Sequence, residues 1–260
     1  MSKTLIPLFL LALGLFPGAS AAQELVLEKG EFDASAWHEL VGRFAGETGV
    51  DYNAWKDHGT EDLDAFLAAA ADFDVFSIMG KEPKGAFFLN LYNAWAVRQI
   101  LEHYPVESVR DIDGFFDSNG TRFGDKEVTL EGIEGLLGKY MSTMPSILLC
   151  TAPGTKGRAP LPSLAYSAGT LAPAGAAVAA ASATAGGIRF DNDASVLHMP
   201  AYLEKNIAVL ESHRNGLAGF LAQFITLSEV MALTSGDYTI IYHQADGALN
   251  MAAPAADEEN

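Results

Sequence analysis

The sequence predicts an α+β fold: a single, mainly helical domain with a small antiparallel sheet. Apolar residues recur at helical spacing along most of the chain, and about four short runs between turn signals read as strands. The helices and strands do not alternate in the way a parallel doubly wound sheet requires. No internal repeat and no inter-domain linker interrupts residues 35–250, so these are read as one domain.

The elements follow in order. MSKTLIPLFLLALGLFPGASAAQE carries one positive charge (Lys3), an apolar run from Leu5 to Phe16 and the small residues Ala19-Ser20-Ala21-Ala22. That is the layout of a secretory signal, so residues 1–22 are expected to be removed after Ala21 or Ala22 and the protein to be exported, into the periplasm. The run falls short of the roughly 20 apolar residues of a membrane span, and no later stretch reaches it. Residues 23–34 read as a leader. DASAWHELVGRFAGE predicts a helix with Ser35 as N-cap and Trp37, Leu40, Val41 and Phe44 on one stripe. VDYNAWKDHG breaks it. EDLDAFLAAAADF predicts a second amphipathic helix with Leu63, Phe66, Leu67 and Ala70 aligned.

A long helix is expected from Lys84 to Tyr104, ended by Pro105. Two turn signals, Ser118-Asn119-Gly120 and Gly124-Asp125, are flanked by short strands. TLEGIEGLLGKYM restarts a helix, with Thr129 as N-cap and Glu131 in the first turn. SILLCT reads as a buried strand and Thr151 to Ser163 as a Gly/Pro loop. LAPAGAAVAAASATAGG predicts a weakly anchored helix, with Pro173 early and Gly186-Gly187 as its stop. SVLHM and YTIIYHQ are strands; PAYLEKNIAVLESH and GLAGFLAQFITL are helices. Residues 251–260 read as a disordered acidic tail.

Hydrophobic residues make up 49% and charged residues 19% of the 260, which fits a folded globular chain. The net charge of −17 provides no basic face for nucleic acid or for an anionic membrane surface. There is no P-loop, dinucleotide fingerprint, HExxH, paired CxxC or GxSxG, and no cofactor or metal is expected. Cys150 is the only cysteine, so stability must come from packing. One nucleophilic constellation can be assembled: Cys150 as thiolate, His198 or His243 as base, and Glu134 as orienting acid. A weaker arrangement is a cation site of Glu134, Asp191 and Asp193, although hard cations want six or more oxygens.

The long helix raises its own question, because it carries two asparagines, Asn90 and Asn93, among aromatic residues. At about 100° per residue, Asn90, Asn93, Ala94, Val97, Leu101 and Tyr104 share one face, opposite Arg98, Gln99, Glu102 and His103. The amides are therefore expected to point inward and hold irregular backbone.

GAFFLNLYNAWAVRQILEHYP, TLEGIEGLL, SILLCTAPGTKGRAPLPSLAYS and YHQADGALN, in that order, resemble the domain of unknown function 547 family. Asn90, Tyr92, Asn93 and Ala94 match the family's Asn-x-Tyr-Asn-Ala helix, and Glu134 keeps its acid. The departures are Gly135 and Pro145, where the family has histidines, Leu149 at its Asn, and Arg158 near its second Cys. The resemblance implies a fold loosely similar to papain-like and transglutaminase-like proteins. It also marks Asn90, Tyr92 and Asn93 as scaffold around an altered site. The expectation is a non-catalytic binding or structural module for an unidentified protein or small-molecule ligand. The alternative is a cysteine-dependent hydrolase or acyl-transferase using Cys150, Glu134 and His198.

Overall fold

The computed structural model describes residues 25–252. The expected signal (1–22) and all of the acidic tail beyond Ala252 lie outside the described residues. The fold is α+β, as the sequence predicts, with one contiguous apolar core.

The leader enters that core through Phe32, whose ring meets Phe66, Phe73 and Phe87 at centroid distances of 5.1–5.6 Å. Helix α1 (Ser35–Phe44) buries Trp37, Leu40, Val41 and Phe44. Its N-cap is Ala34 rather than Ser35, and the Asp33 carboxylate accepts the Ser35 N–H at 2.9 Å. Strands β1 (Ala45–Gly46) and β2 (Gly49–Val50) form a minimal hairpin. The next segment, expected only to break the chain, is itself helical: α2 (Tyr52–His58). The Asp51 carboxylate caps it by accepting the Ala54 N–H, and Tyr52 and Trp55 supply a buried face. Helix α3 (Thr60–Asp72) buries Leu63, Phe66, Leu67 and Ala70.

Helix α4 (Glu82–His103) is the central strut, apolar nearly all round because neighbours cover almost every face. Gln99, placed by helical geometry on the polar side, is buried. The 109–117 segment covers that side, and the Gln99 amide donates to the Phe115 carbonyl at 3.1 Å. Strands β3 (Gly120–Phe123) and β4 (Lys126–Thr129) pair antiparallel and lead into α5 (Leu130–Tyr140), capped by Thr129 accepting the Gly132 N–H at 3.1 Å.

The SILLCT run is a 3-10 helix, Pro145–Cys150, not a strand. A continuous apolar run is compatible with either form, and Pro145 at the first position suits a helical start. Helix α6 (Ala168–Ala185) is better anchored than its composition suggests. Ser167 and Thr170 form a capping box, and the small face Gly175, Ala179, Ser182 and Ala183 lies against neighbouring structure at close range.

Strands β5 (Arg189–Asp191) and β6 (Val196–Pro200) pair antiparallel. The chain then runs through a 3-10 turn, Ala201–Asn206, and helices α7 (Ile207–Glu211), α8 (Gly216–Leu221) and α9 (Leu227–Ser235), before β7 (Thr239–His243). That helical crossover returns β7 parallel to β6, so this sheet is mixed. The helix α9 was not expected; its start is the Thr226–Glu229 capping box. Finally the 246–249 segment lies along the Gly/Pro loop. Lys156 N–H donates to Ala248 O at 2.9 Å and Gly157 N–H to Asp246 O at 3.0 Å. Among the described residues no helix is long and apolar enough to cross a membrane.

Candidate functional site

The two asparagines of α4 bind backbone that has no regular ladder of its own. Asn90 Nδ2 donates to Tyr166 O at 2.8 Å while its Oδ1 accepts the Tyr166 N–H at 2.9 Å. Asn93 Oδ1 accepts the Ala152 N–H at 2.9 Å; its Nδ2 is buried without a partner. Both ends of the loop that carries Arg158 are thereby held against one helix, one at Ala152 and the other at Tyr166.

Between those ends the loop turns Arg158 inward, where it is 6% exposed. Its Nη2 donates to Glu134 Oε1 at 2.7 Å and to the Thr151 hydroxyl at 2.5 Å. Tyr92 Oη donates to the same Glu134 oxygen at 3.0 Å. The guanidinium carbon lies 3.8 Å from the centroid of the Tyr202 ring and 5.9 Å from that of Tyr92. Burial would lower the Arg158 pKa, but Tyr92, Glu134 and Tyr202 around it push it up, so the group stays cationic. Burial pushes the hydroxyls of Tyr92 and Tyr202 above their ordinary value. The cation is thus held between two rings and one carboxylate.

The pair lies at a cavity of about 240 Å³, lined also by Val109, Phe116, Arg110, Lys205 and the 244–247 segment. Lys205 Nζ donates to Glu131 Oε1 at 2.5 Å, and this bond holds its pKa above the ordinary value. Arg110 donates through Nη2 to the Ala245 carbonyl.

The three residues of the nucleophilic constellation stand in three places. Cys150 is 1% exposed, with Sγ 3.3 Å from Gly175 O and 3.6 Å from Ser146 O. It lines a different cavity, with Met144, Ile147, Ala176 and Phe224. Burial pushes its thiol up to about 12; the neighbouring Tyr166 hydroxyl lowers it only in part. Glu134 is committed to Arg158 and Tyr92. His198 lies on β6 opposite Arg189, its ring 6.1 Å from that of His243, and its pKa is lowered by burial and by Arg189. His243 Nε2 lies 3.0 Å from Gly186 O. Among the described residues, neither histidine is a hydrogen-bond partner of Cys150.

The cation arrangement is likewise dispersed. Asp191 Oδ1 accepts the N–H groups of Asp193 and Ala194, both at 3.0 Å, so FDND is a self-satisfied turn. Glu134 is elsewhere, against Arg158. Gly135 is exposed, and a Cβ there would meet nothing within 4 Å. Thr151 and Tyr202 drew no attention in the sequence, and Arg158 only through its place near a family cysteine. The one available signal was a basic residue in a Gly/Pro loop, and Lys156 shares it.

Residues 76–152 match the model of a family described as "Protein of unknown function, DUF547". The matched stretch contains Asn90, Tyr92, Asn93, Glu134, Cys150 and Thr151, and stops short of Arg158 and Tyr202. No curated protein and no solved structure matches the chain.

Proposed function

We propose, for a chain that resembles this family over residues 76–152, that it is an exported, non-catalytic binding module whose ligand enters the cavity at the Glu134–Arg158 pair. The observation that carries the reading is the separation of chemistry from opening. The charged groups gather at one cavity, while the only thiol lies among apolar side chains at another. Burial pushes the Cys150 thiol up to about 12, so little of it is thiolate at pH 8, and among the described residues no imidazole is hydrogen-bonded to it. Export rests on Lys3, the apolar run Leu5 to Phe16 and the small residues that follow.

Iodoacetamide labelling of the folded protein at pH 8 tests the absence of thiol catalysis. Cys150 should stay unmodified until the protein is unfolded; rapid labelling of the native state would defeat the reading. Amide-detected NMR with mixed small-molecule fragments tests the site. The Tyr202 and Gly247 signals should shift with at least one fragment class.

A further inference from the structure

Three cationic and three acidic side chains line the cavity, yet they are not equally satisfied. Glu131 accepts from Lys205, Glu134 accepts from Arg158 and Tyr92, and Asp246 Oδ1 turns back to accept the Ala248 N–H at 2.9 Å. Each carboxylate already has a donor. The cations do not match this. Arg110 bonds a carbonyl and, among the described residues, has no carboxylate within ion-pair distance. Arg158 uses only Nη2, and its Nε is buried with no hydrogen-bond partner. Nη2 has spent both of its hydrogens, so the donor left over for the cavity is Nη1, and a single anionic oxygen is its natural complement.

We infer that the cavity binds a small carboxylate, one oxygen on Nη1 of Arg158 and the charge shared with Arg110, its organic part against Tyr202 and Phe116. The inference rests on the reading of this cavity as the ligand site. Arg158 also borders a second cleft, beside Val50, Leu161 and Ala185, but Arg110, Lys205 and Tyr202 all stand on the side assigned here. At about 240 Å³ the space lies just under the roughly 300–1,000 Å³ usual for small-molecule sites, so the ligand is compact.

The test uses the mature chain and four probes that share a phenyl ring: benzoate, benzamide, benzylamine and phenyl phosphate. Benzoate should titrate the Tyr202 and Gly247 amide signals to saturation. Benzamide should bind about tenfold more weakly, and benzylamine not at all. Arg110→Gln, an exposed change, should weaken benzoate roughly three- to tenfold with the melting temperature unmoved, and added salt should do the same. Arg158→Lys should weaken it further; if that variant does not fold, Arg110→Gln decides. Benzamide equal to benzoate, or benzylamine or phenyl phosphate stronger than it, overturns the carboxylate assignment and leaves the ligand site standing. No shift at Tyr202 or Gly247 with any probe overturns both.

Discussion

Asn93 and Glu134 show two ways in which this core handles buried polarity. Asn93 supplies one acceptor to the Ala152 N–H, and its own amide nitrogen goes unpaired. Asn93→Leu removes both the bond and the unpaired donor but strands the Ala152 N–H. Urea denaturation should show a loss of about 1–3 kcal/mol. Glu134 matters more, because it is the carboxylate that compensates Arg158 in a pair whose side chains are 9% and 5% exposed. Glu134→Gln keeps the shape and leaves a buried cation without its counter-charge, so its cost should be larger, roughly 3 kcal/mol, in the same assay. The exposed Lys205–Glu131 pair should contribute well under about 1 kcal/mol. Cys150 adds a pH signature. Its folded pKa is raised, so the protonated thiol is favoured in the native state and the contribution is intact below pH 9. Above that, the unfolded chain loses a proton that the folded chain keeps, and stability falls as pH climbs towards 12. Between pH 9 and 10 the loss should be about 1 kcal/mol and should be absent in Cys150→Ala, measured against the wild type at each pH.

Elements decide which of these residues meet. The Gly/Pro loop is held at Ala152 and Tyr166 by α4, and along residues 155–157 by the returning 246–249 segment. Gly157 is where that contact is tightest. A Cβ there would come within 2.2 Å of Asp246 N and 2.8 Å of Asp246 O, backbone atoms that cannot swing aside. Gly157→Ala should therefore displace the 244–247 wall of the cavity. Hydrogen exchange should show the Lys156 amide losing protection, with stability falling by about 1–3 kcal/mol. Unchanged protection would mean that the segment adapts without strain. The 3-10 form of Pro145–Cys150 has a similar consequence, since it packs this segment, with Cys150 against Gly175, on α6 rather than into a sheet edge.

For the whole molecule, a net charge of −17 surrounds a cavity in which three cations balance three carboxylates. An anion approaches such a protein against a repulsive field and gains only close to that cavity, so its capture should be short-ranged and sensitive to ionic strength. Export is a prediction at this scale as well. Mass spectrometry of the mature protein should find its first residue at Ala22 or Gln23, and an intact Met1 on the protein recovered from the periplasmic fraction would contradict it.

Much of the fold was legible because it is local. The periodic stripes of α1 and α3, the length of α4, the Thr129 cap and the Gly186 stop each depend on residues a few positions apart. The burial of Asn90 and Asn93 followed from helical geometry in the same way. Where a face is covered by distant chain, local reading failed: Gln99 is buried by the 109–117 segment, and an apolar run read as a strand found no partner strand and coiled. The parallel β6–β7 pair depends on a crossover of some forty residues between them, and Arg158 meets Glu134, Thr151, Tyr92 and Tyr202 across separations from 7 to 66 positions. Propensity and periodicity act within a few residues, so they set the fold class and the inward-facing asparagines of α4. Only the tertiary structure decided that Glu134 would serve an arginine rather than a thiol, because the choice of partner in a buried site is made by whichever distant segment packs there.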